Sequence, residues 1–275
     1  MRPTEWDDCC NAVRVEMERC VRNSVTPISR SEDFNHGFAE GTGTYVAFPS
    51  GHTAVLTNEH VARRVRHDMH LSHLPVPGEN YELLPEFRVW EAPRDFAACF
   101  IPHDRLASNR IVISSDVLDQ LCNPEPQELL YWYGFPGSMA LRHDPISEQN
   151  TRYSWFNELH VNGLSIVSQQ VPEWPDELPD AYLQDHHIAV HYPPQAQAVP
   201  GGPMVHLPNP KGMSGSLLWD TKFVSCLQRG ISWNPDLARV CGVIWATWPN
   251  PEVVIATKVQ FLHQFIAEVD ILPTV

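Results

Sequence analysis

The chain has 275 residues, 43% of them hydrophobic, enough for one large domain or two small ones around a sizeable core. Its formal net charge of −14, from 19 basic and 33 acidic side chains, argues against a nucleic-acid partner, since phosphate binding needs clustered Lys and Arg. No run of about 18 apolar residues suggests a membrane span, and Met1 to Asp8 lack the apolar core of a signal peptide.

Residues 4–22 predict a helix. Thr4 can cap it, Glu5, Asp7 and Asp8 suit its N-terminal dipole, and Trp6, Cys9, Cys10, Val13, Met17, Cys20 and Val21 recur at helical spacing. Docking on the main body is the simpler reading of its apolar face, and regulation or partner binding the functional one. Pro27 is expected to end this region.

Gly41 to Phe48 alternates and is rich in β-formers, Pro49 to His52 reads as a turn, and Thr53 to Asn58 as a second strand, so a hairpin is expected. Glu59-His60-Val61-Ala62 then turns into a short helix. His67, His70 and His73 would share one side of a helix, but no nearby Cys or Glu completes a zinc ligand set. A solvated loop or helix end is expected there, with no metal and no cofactor. Phe87 to Trp90 and Asp95 to Ile101 read as strands. The second opens on a carboxylate, which is costly to bury unless hydrogen-bonded.

Leu129 to Gly137 reads as a strand ending in a turn, and a long irregular section follows. Its Glu173 to Asp180 piece is acidic, broken by prolines, and expected to be an exposed loop. His187 to Tyr192 alternates like a strand, with His187 and His191 on one face and expected to be solvated. Pro200 to Pro203 leads towards Lys211-Gly212-Met213-Ser214-Gly215-Ser216, where two glycines bracket one hydroxyl ahead of an apolar run. Such a serine can be presented with its own N–H and a neighbouring N–H aimed at one point, which suits attack on a carbonyl. Arg239 to Ala246 and Val253 to Thr257 read as strands about a Pro249-Asn250-Pro251 turn, and Val259 to Val269 as an apolar-periodic helix. With 25 prolines against 14 glycines, short strands and fixed loops dominate. The seven cysteines are odd in number, irregularly spaced and without a CxxC pair. Reduced thiols in a cytoplasmic protein are expected, with a Cys226–Cys241 pair the minor alternative.

His60, Asp95 and Ser214 each stand at the edge of an expected strand. A serine needs a base to take its proton, and the base needs a carboxylate to fix its tautomer. At these residues the chain resembles the chymotrypsin/trypsin-fold serine proteases, as a stand-alone, bacterial-type member. The resemblance is carried by Gly41-Thr42-Gly43, Leu56-Thr57-Asn58-Glu59-His60, Asp95-Phe96-Ala97, Gly134-Phe135-Pro136, Gly212-Met213-Ser214-Gly215, and the tail from Gly242 to Val259. It covers about residues 37–268.

The resemblance implies an all-β fold of two packed six-stranded antiparallel β-barrels with an N-terminal and a C-terminal helix. The implied division is a helix at 1–24, a first barrel at 25–125 carrying His60 and Asp95, and a second at 126–275 carrying Ser214 and the last helix. It further implies a serine endopeptidase acting on polypeptides through an acyl-enzyme, with an oxyanion hole from the N–H groups of Gly212 and Ser214. The substrate pocket would involve Pro208, Trp245 and Thr247, without a carboxylate at its base. Met213 replaces the aspartate that pairs with a freed N-terminus in digestive relatives, so the oxyanion loop must be ordered by packing, a partner or a ligand. Ser216 replaces a glycine, and Val61 and Pro210 stand where secreted relatives have cysteines. A regulatory protein partner fits the missing ion pair. The alternative is a catalytically weak relative that grips peptides without cutting them.

Overall fold

The computed structural model describes residues 3–33, 36–63, 70–75, 82–84, 86–143, 150–151, 159–161, 163–197, 202–249 and 252–271. Helix α1 (Pro3–Val21) leads by a single 3₁₀ turn into the first curled sheet. That sheet contains β1 (Val25–Asp33), β2 (His36–Ala47), β3 (Thr53–Thr57), β4 (His70–His73), β5 (Glu82–Leu83), β6 (Arg88–Trp90), β7 (Phe96–Ile101) and β8 (Ile113–Ser114). The order is β5-β4-β1-β2-β3-β7-β6, with β8 pairing β2 in parallel. Six main strands are thus extended by two short ones, β5 and β8. The short helix α2 (Glu59–Ala62) follows β3.

The second half holds β9 (Leu129–Gly134), β10 (Ala140–His143), β11 (Asn150–Thr151), β12 (Leu159–Val161), β13 (Leu164–Gln169), β14 (His187–His191), β15 (Gln195–Gln197), β16 (Met204–His206), β17 (Leu217–Asp220), helix α3 (Phe223–Gln228), β18 (Arg239–Pro249), β19 (Glu252–Lys258) and helix α4 (Val259–Asp270). Its main sheet is six-stranded and antiparallel, in the order β13-β9-β17-β18-β19-β14. The two curled sheets with a helix at each end make the chymotrypsin-like double-barrel architecture.

Strand β1 was not anticipated, because Pro27 reads as a break. The strand tolerates it because Pro27 faces Thr42 across the β1/β2 ladder, and Thr42 turns its N–H and C=O away from β1. Proline's missing donor is therefore not needed at that register. The irregular section after Pro136 also gains order from β13, which pairs with β9 from Leu164 to Gln169. Residues 70–73 form a strand and not a helix. His67 lies outside the described residues, and no cluster of three metal-ligating side chains occurs among the described ones.

Each sheet has its own apolar interior. Ile28, Tyr45, Val55 and Leu71 fill the first, and Leu130, Trp132, Leu218 and Val254 the second. A third cluster runs between the sheets and takes in Val13 and Met17 of α1 and Leu262 and Phe265 of α4. Helix α1 is docked by this burial and by polar contacts to β13. Arg14 donates to Ser165 Oγ at 3.0 Å, and that hydroxyl donates to Glu18 at 2.6 Å.

Two histidines expected at solvated positions are buried instead. His73 shares a 3.0 Å hydrogen bond with the Tyr45 hydroxyl, and His187 is 1% exposed. Burial pulls both imidazoles down to about 4, from an ordinary 6.5. A depressed imidazole favours the neutral folded state, so the unfolded chain binds more protons between these values. Their contribution is intact above about pH 6.5, declines as pH falls, and is lost by about pH 4. Unfolding free energies from urea titrations across this window should fall by about 1.4 kcal/mol for each unit the pH is lowered, per histidine. His73→Gln should flatten the slope, and an unchanged slope would refute the assignment.

Candidate active site

Strand β3 delivers α2 at the edge of the first sheet, where Val61 and Ala62 N–H groups bond to Asn58 O at 3.2 and 3.1 Å. This presents His60 with its side chain about one-third exposed (34%). The opposing piece is the turn Glu91–Asp95 ahead of β7. Asp95 takes a left-handed backbone, φ +56°, which aspartate tolerates better than most residues. Its buried carboxylate is fully engaged by one residue. Oδ1 accepts the His60 backbone N–H at 2.8 Å, and Oδ2 lies 2.6 Å from His60 Nδ1. A carboxylate oxygen here calls for a donor, so in the neutral imidazole Nδ1 carries the proton and Nε2 is left as an acceptor. Among the described residues nothing else bonds to Nε2.

Ser214 lies across the seam between the sheets. Gly41 reports how close: a Cβ there would be 2.8 Å from the Val61 methyls and 3.3 Å from Ser214 O. The structure therefore brings the Ser214 backbone beside the residue that follows His60. The Ser214 hydroxyl itself donates to Trp245 O at 3.1 Å, and among the described residues no hydrogen bond joins it to His60.

The loop before Ser214 is held without the ion pair that Met213 precludes. Met213 is fully buried among Leu130, Trp132 and Leu218. Thr42 of β2 reaches over the seam: its N–H donates to Ser214 O at 2.8 Å and its hydroxyl to Gly212 O at 2.8 Å. The same hydroxyl accepts the Phe135 N–H at 3.0 Å. Gly137 N–H bonds to Lys211 O at 2.8 Å, and both the N–H and the hydroxyl of Ser216 bond to Met213 O. A trans peptide points its C=O and N–H in opposite directions, so these bonds turn the Gly212 and Ser214 N–H groups away from the protein groups that hold the loop. Neither N–H has an acceptor among the described residues, whereas Lys211, Met213 and Gly215 N–H groups all do. Two neighbouring, unclaimed donors are what an anionic oxygen requires. Gly212 has φ +101°, and a Cβ there would lie 2.7 Å from both Gly137 N and Phe135 O.

Gly215 is equally constrained. Its φ is +93°, and a Cβ would collide with Thr42 O and stand 2.5 Å from Thr57 Oγ1. Gly215→Ala should therefore push the sheets apart at this point and destabilise the protein by about 3 kcal/mol, read from the denaturant midpoint. A loss below about 0.5 kcal/mol would contradict the close approach.

Of the expected pocket residues, Trp245 is beside Ser214 through its carbonyl. Its ring stacks on His187 with centroids 4.5 Å apart and meets Tyr182 at 4.9 Å. Thr247 follows on β18, half-buried and in register with Val254. Pro208 O accepts the Tyr192 hydroxyl at 2.6 Å, and no described contact joins Pro208 to Ser214. Sequence reasoning missed the anchoring roles of Thr42, Asn58 and His187. Thr42 carried a signal in its Gly-Thr-Gly setting, but His187 carried none beyond strand alternation.

No protein-family model matches the chain, and no curated protein matches it in sequence. Solved structures do. A Glu endopeptidase in complex with MPD is 16% identical with a TM-score of 0.51, covering 91% of each chain. The active form of the Rv3671c protease from M. tuberculosis is 14% identical with a TM-score of 0.50, covering 96% of this chain and 88% of its own. At such identities the likeness establishes the fold, and that fold is the one of chymotrypsin-like serine proteases.

Proposed function

Starting from a chymotrypsin-like fold, we propose that the chain is a serine endopeptidase. Ser214 attacks a peptide carbonyl, His60 Nε2 takes the hydroxyl proton and returns it to the leaving amine, and Asp95 keeps the imidazole in the required tautomer. The N–H groups of Gly212 and Ser214 receive the oxyanion. Water then hydrolyses the acyl-enzyme by the same proton path. The observation that supports this most is the Asp95–His60 pair, bonded twice through one carboxylate, at a seam that also carries Ser214. For attack, the Ser214 hydroxyl must give up its bond to Trp245 O and donate to His60 Nε2 instead.

Substrate binds in the cleft with the side chain before the scissile bond near Trp245, Thr247 and Pro208. None of these is charged, so apolar or small side chains should be preferred over Arg or Lys. Peptide-library profiling checks this, and dominant cleavage after Arg or Lys would refute it. The serine itself is tested by a fluorophosphonate probe, with the adduct mapped to Ser214 by mass spectrometry. The hydrogen bond from Ser214 to Trp245 favours a second reading, a peptide-gripping module with an idle hydroxyl. Folded protein that binds peptides yet takes no label would establish that reading instead.

A further inference from the structure

The turn that carries Asp95 is held by three consecutive carbonyls, and two of their three donors belong to the other sheet. Asp95 O accepts Asn58 Nδ2–H at 2.7 Å, from the first sheet. Arg94 O accepts the Thr257 hydroxyl at 3.0 Å, and Pro93 O lies 2.7 Å from His187 Nε2. His187 and Thr257 are direct cross-strand partners on β14 and β19, so they stand side by side and reach adjacent carbonyls. Leu183 N–H donates to His187 Nδ1 at 2.9 Å, which leaves the ring proton on Nε2 and makes Nε2 the donor to Pro93 O. Both residues are buried, His187 at 1% and Thr257 at 0% exposure. The opposite side of the contact leads to the serine, because the His187 ring stacks on Trp245, whose carbonyl holds the Ser214 hydroxyl.

From this we infer that His187 and Thr257 are positioning residues. They clamp the left-handed Asp95 turn onto the second sheet, across the seam, and so set the carboxylate against His60 within the first. The clamp acts on a strained backbone: Asp95, at φ +56°, would relax if its flanking carbonyls were released. Its catalytic consequence rests on the endopeptidase reading, whereas its geometric consequence does not.

The test therefore has two readouts. The first is the proton NMR resonance of His60 Nδ1, which a short bond to a carboxylate moves far downfield, observed in Ser214→Ala protein so that no activity is needed. His187→Leu removes donor and acceptor together, and Thr257→Val removes the hydroxyl at constant shape. His187→Gln and Thr257→Ser keep a donor for each carbonyl. The Leu and Val variants should lose or shift the resonance, and the Gln and Ser variants should keep it. The second readout is kcat in proteins with Ser214 intact. It should fall about 10- to 100-fold in the Leu and Val variants with KM nearly unchanged, as for a misplacement near 1 Å, and recover in the Gln and Ser variants. If His187→Leu does not fold, the Thr257 pair decides alone. An unchanged resonance in folded Leu and Val variants would overturn the clamp, as would its absence from the parent protein. Resonance changes as expected in a protein without peptidase activity would uphold the clamp and defeat the endopeptidase reading.

Discussion

Ser214→Ala should abolish fluorophosphonate labelling and lower kcat on a cleavable peptide by about 10⁴-fold or more, with the fold and peptide affinity retained. The size of the effect follows from what remains. Ser214 is half-buried and, among the described residues, its hydroxyl hydrogen-bonds only to the Trp245 carbonyl, so its removal should cost little stability. The loop geometry stays, because Thr42, Gly137 and Ser216 hold the backbone on either side. On the proposed mechanism the N–H groups of Gly212 and Ser214 would still polarise a carbonyl, but no acyl-enzyme would form. Comparable turnover before and after the substitution, measured on purified protein, would show that another group performs the hydrolysis.

Asp95→Asn should cost about as much, on the order of 10⁴-fold in kcat, for a different reason. The carboxylate uses both oxygens on one residue, Oδ1 for the His60 backbone N–H and Oδ2 for Nδ1. A carboxamide has only one acceptor. If its oxygen stays with the backbone N–H, its NH₂ faces Nδ1 and drives the ring proton to Nε2, where it blocks acceptance from Ser214. If the amide flips, the NH₂ opposes the backbone N–H and α2 must shift. Either outcome disables His60 as a base, while fluorescence and circular dichroism should report a folded protein. Activity within tenfold of the parent would mean that Asp95 does not set the tautomer.

Both substitutions concern residues that are visible in the amino-acid sequence. His60, Asp95 and Ser214 each stand at the edge of an expected strand, and it is the resemblance to the chymotrypsin/trypsin-fold proteases that joins them into one set. The hairpin over 41–58, the strand after Asp95, the last two strands and the helix α4 were legible for a different reason. Their alternation or helical period is local, and local pattern is what sequence displays. Strand β1 was hidden by Pro27, whose cost depends on the direction of Thr42's backbone groups. His187 was misjudged because strand alternation says which residues share a face but not what that face meets. His187 meets Trp245 and Pro93 O and is buried.

The order of residues along the chain sets the inventory: an acidic chain of short apolar strands, an imidazole, a carboxylate and a serine between glycines, and a methionine where the resemblance has the aspartate of an ion pair. How those groups are held emerges from the packing of the two sheets. Thr42 ties the serine loop to the opposite sheet from 170 residues away, and the second sheet grips the Asp95 turn through His187 and Thr257. A hydrogen bond depends on the distance and angle between two groups in space. For partners on different sheets, those are fixed by how the sheets pack and not by anything written along either strand.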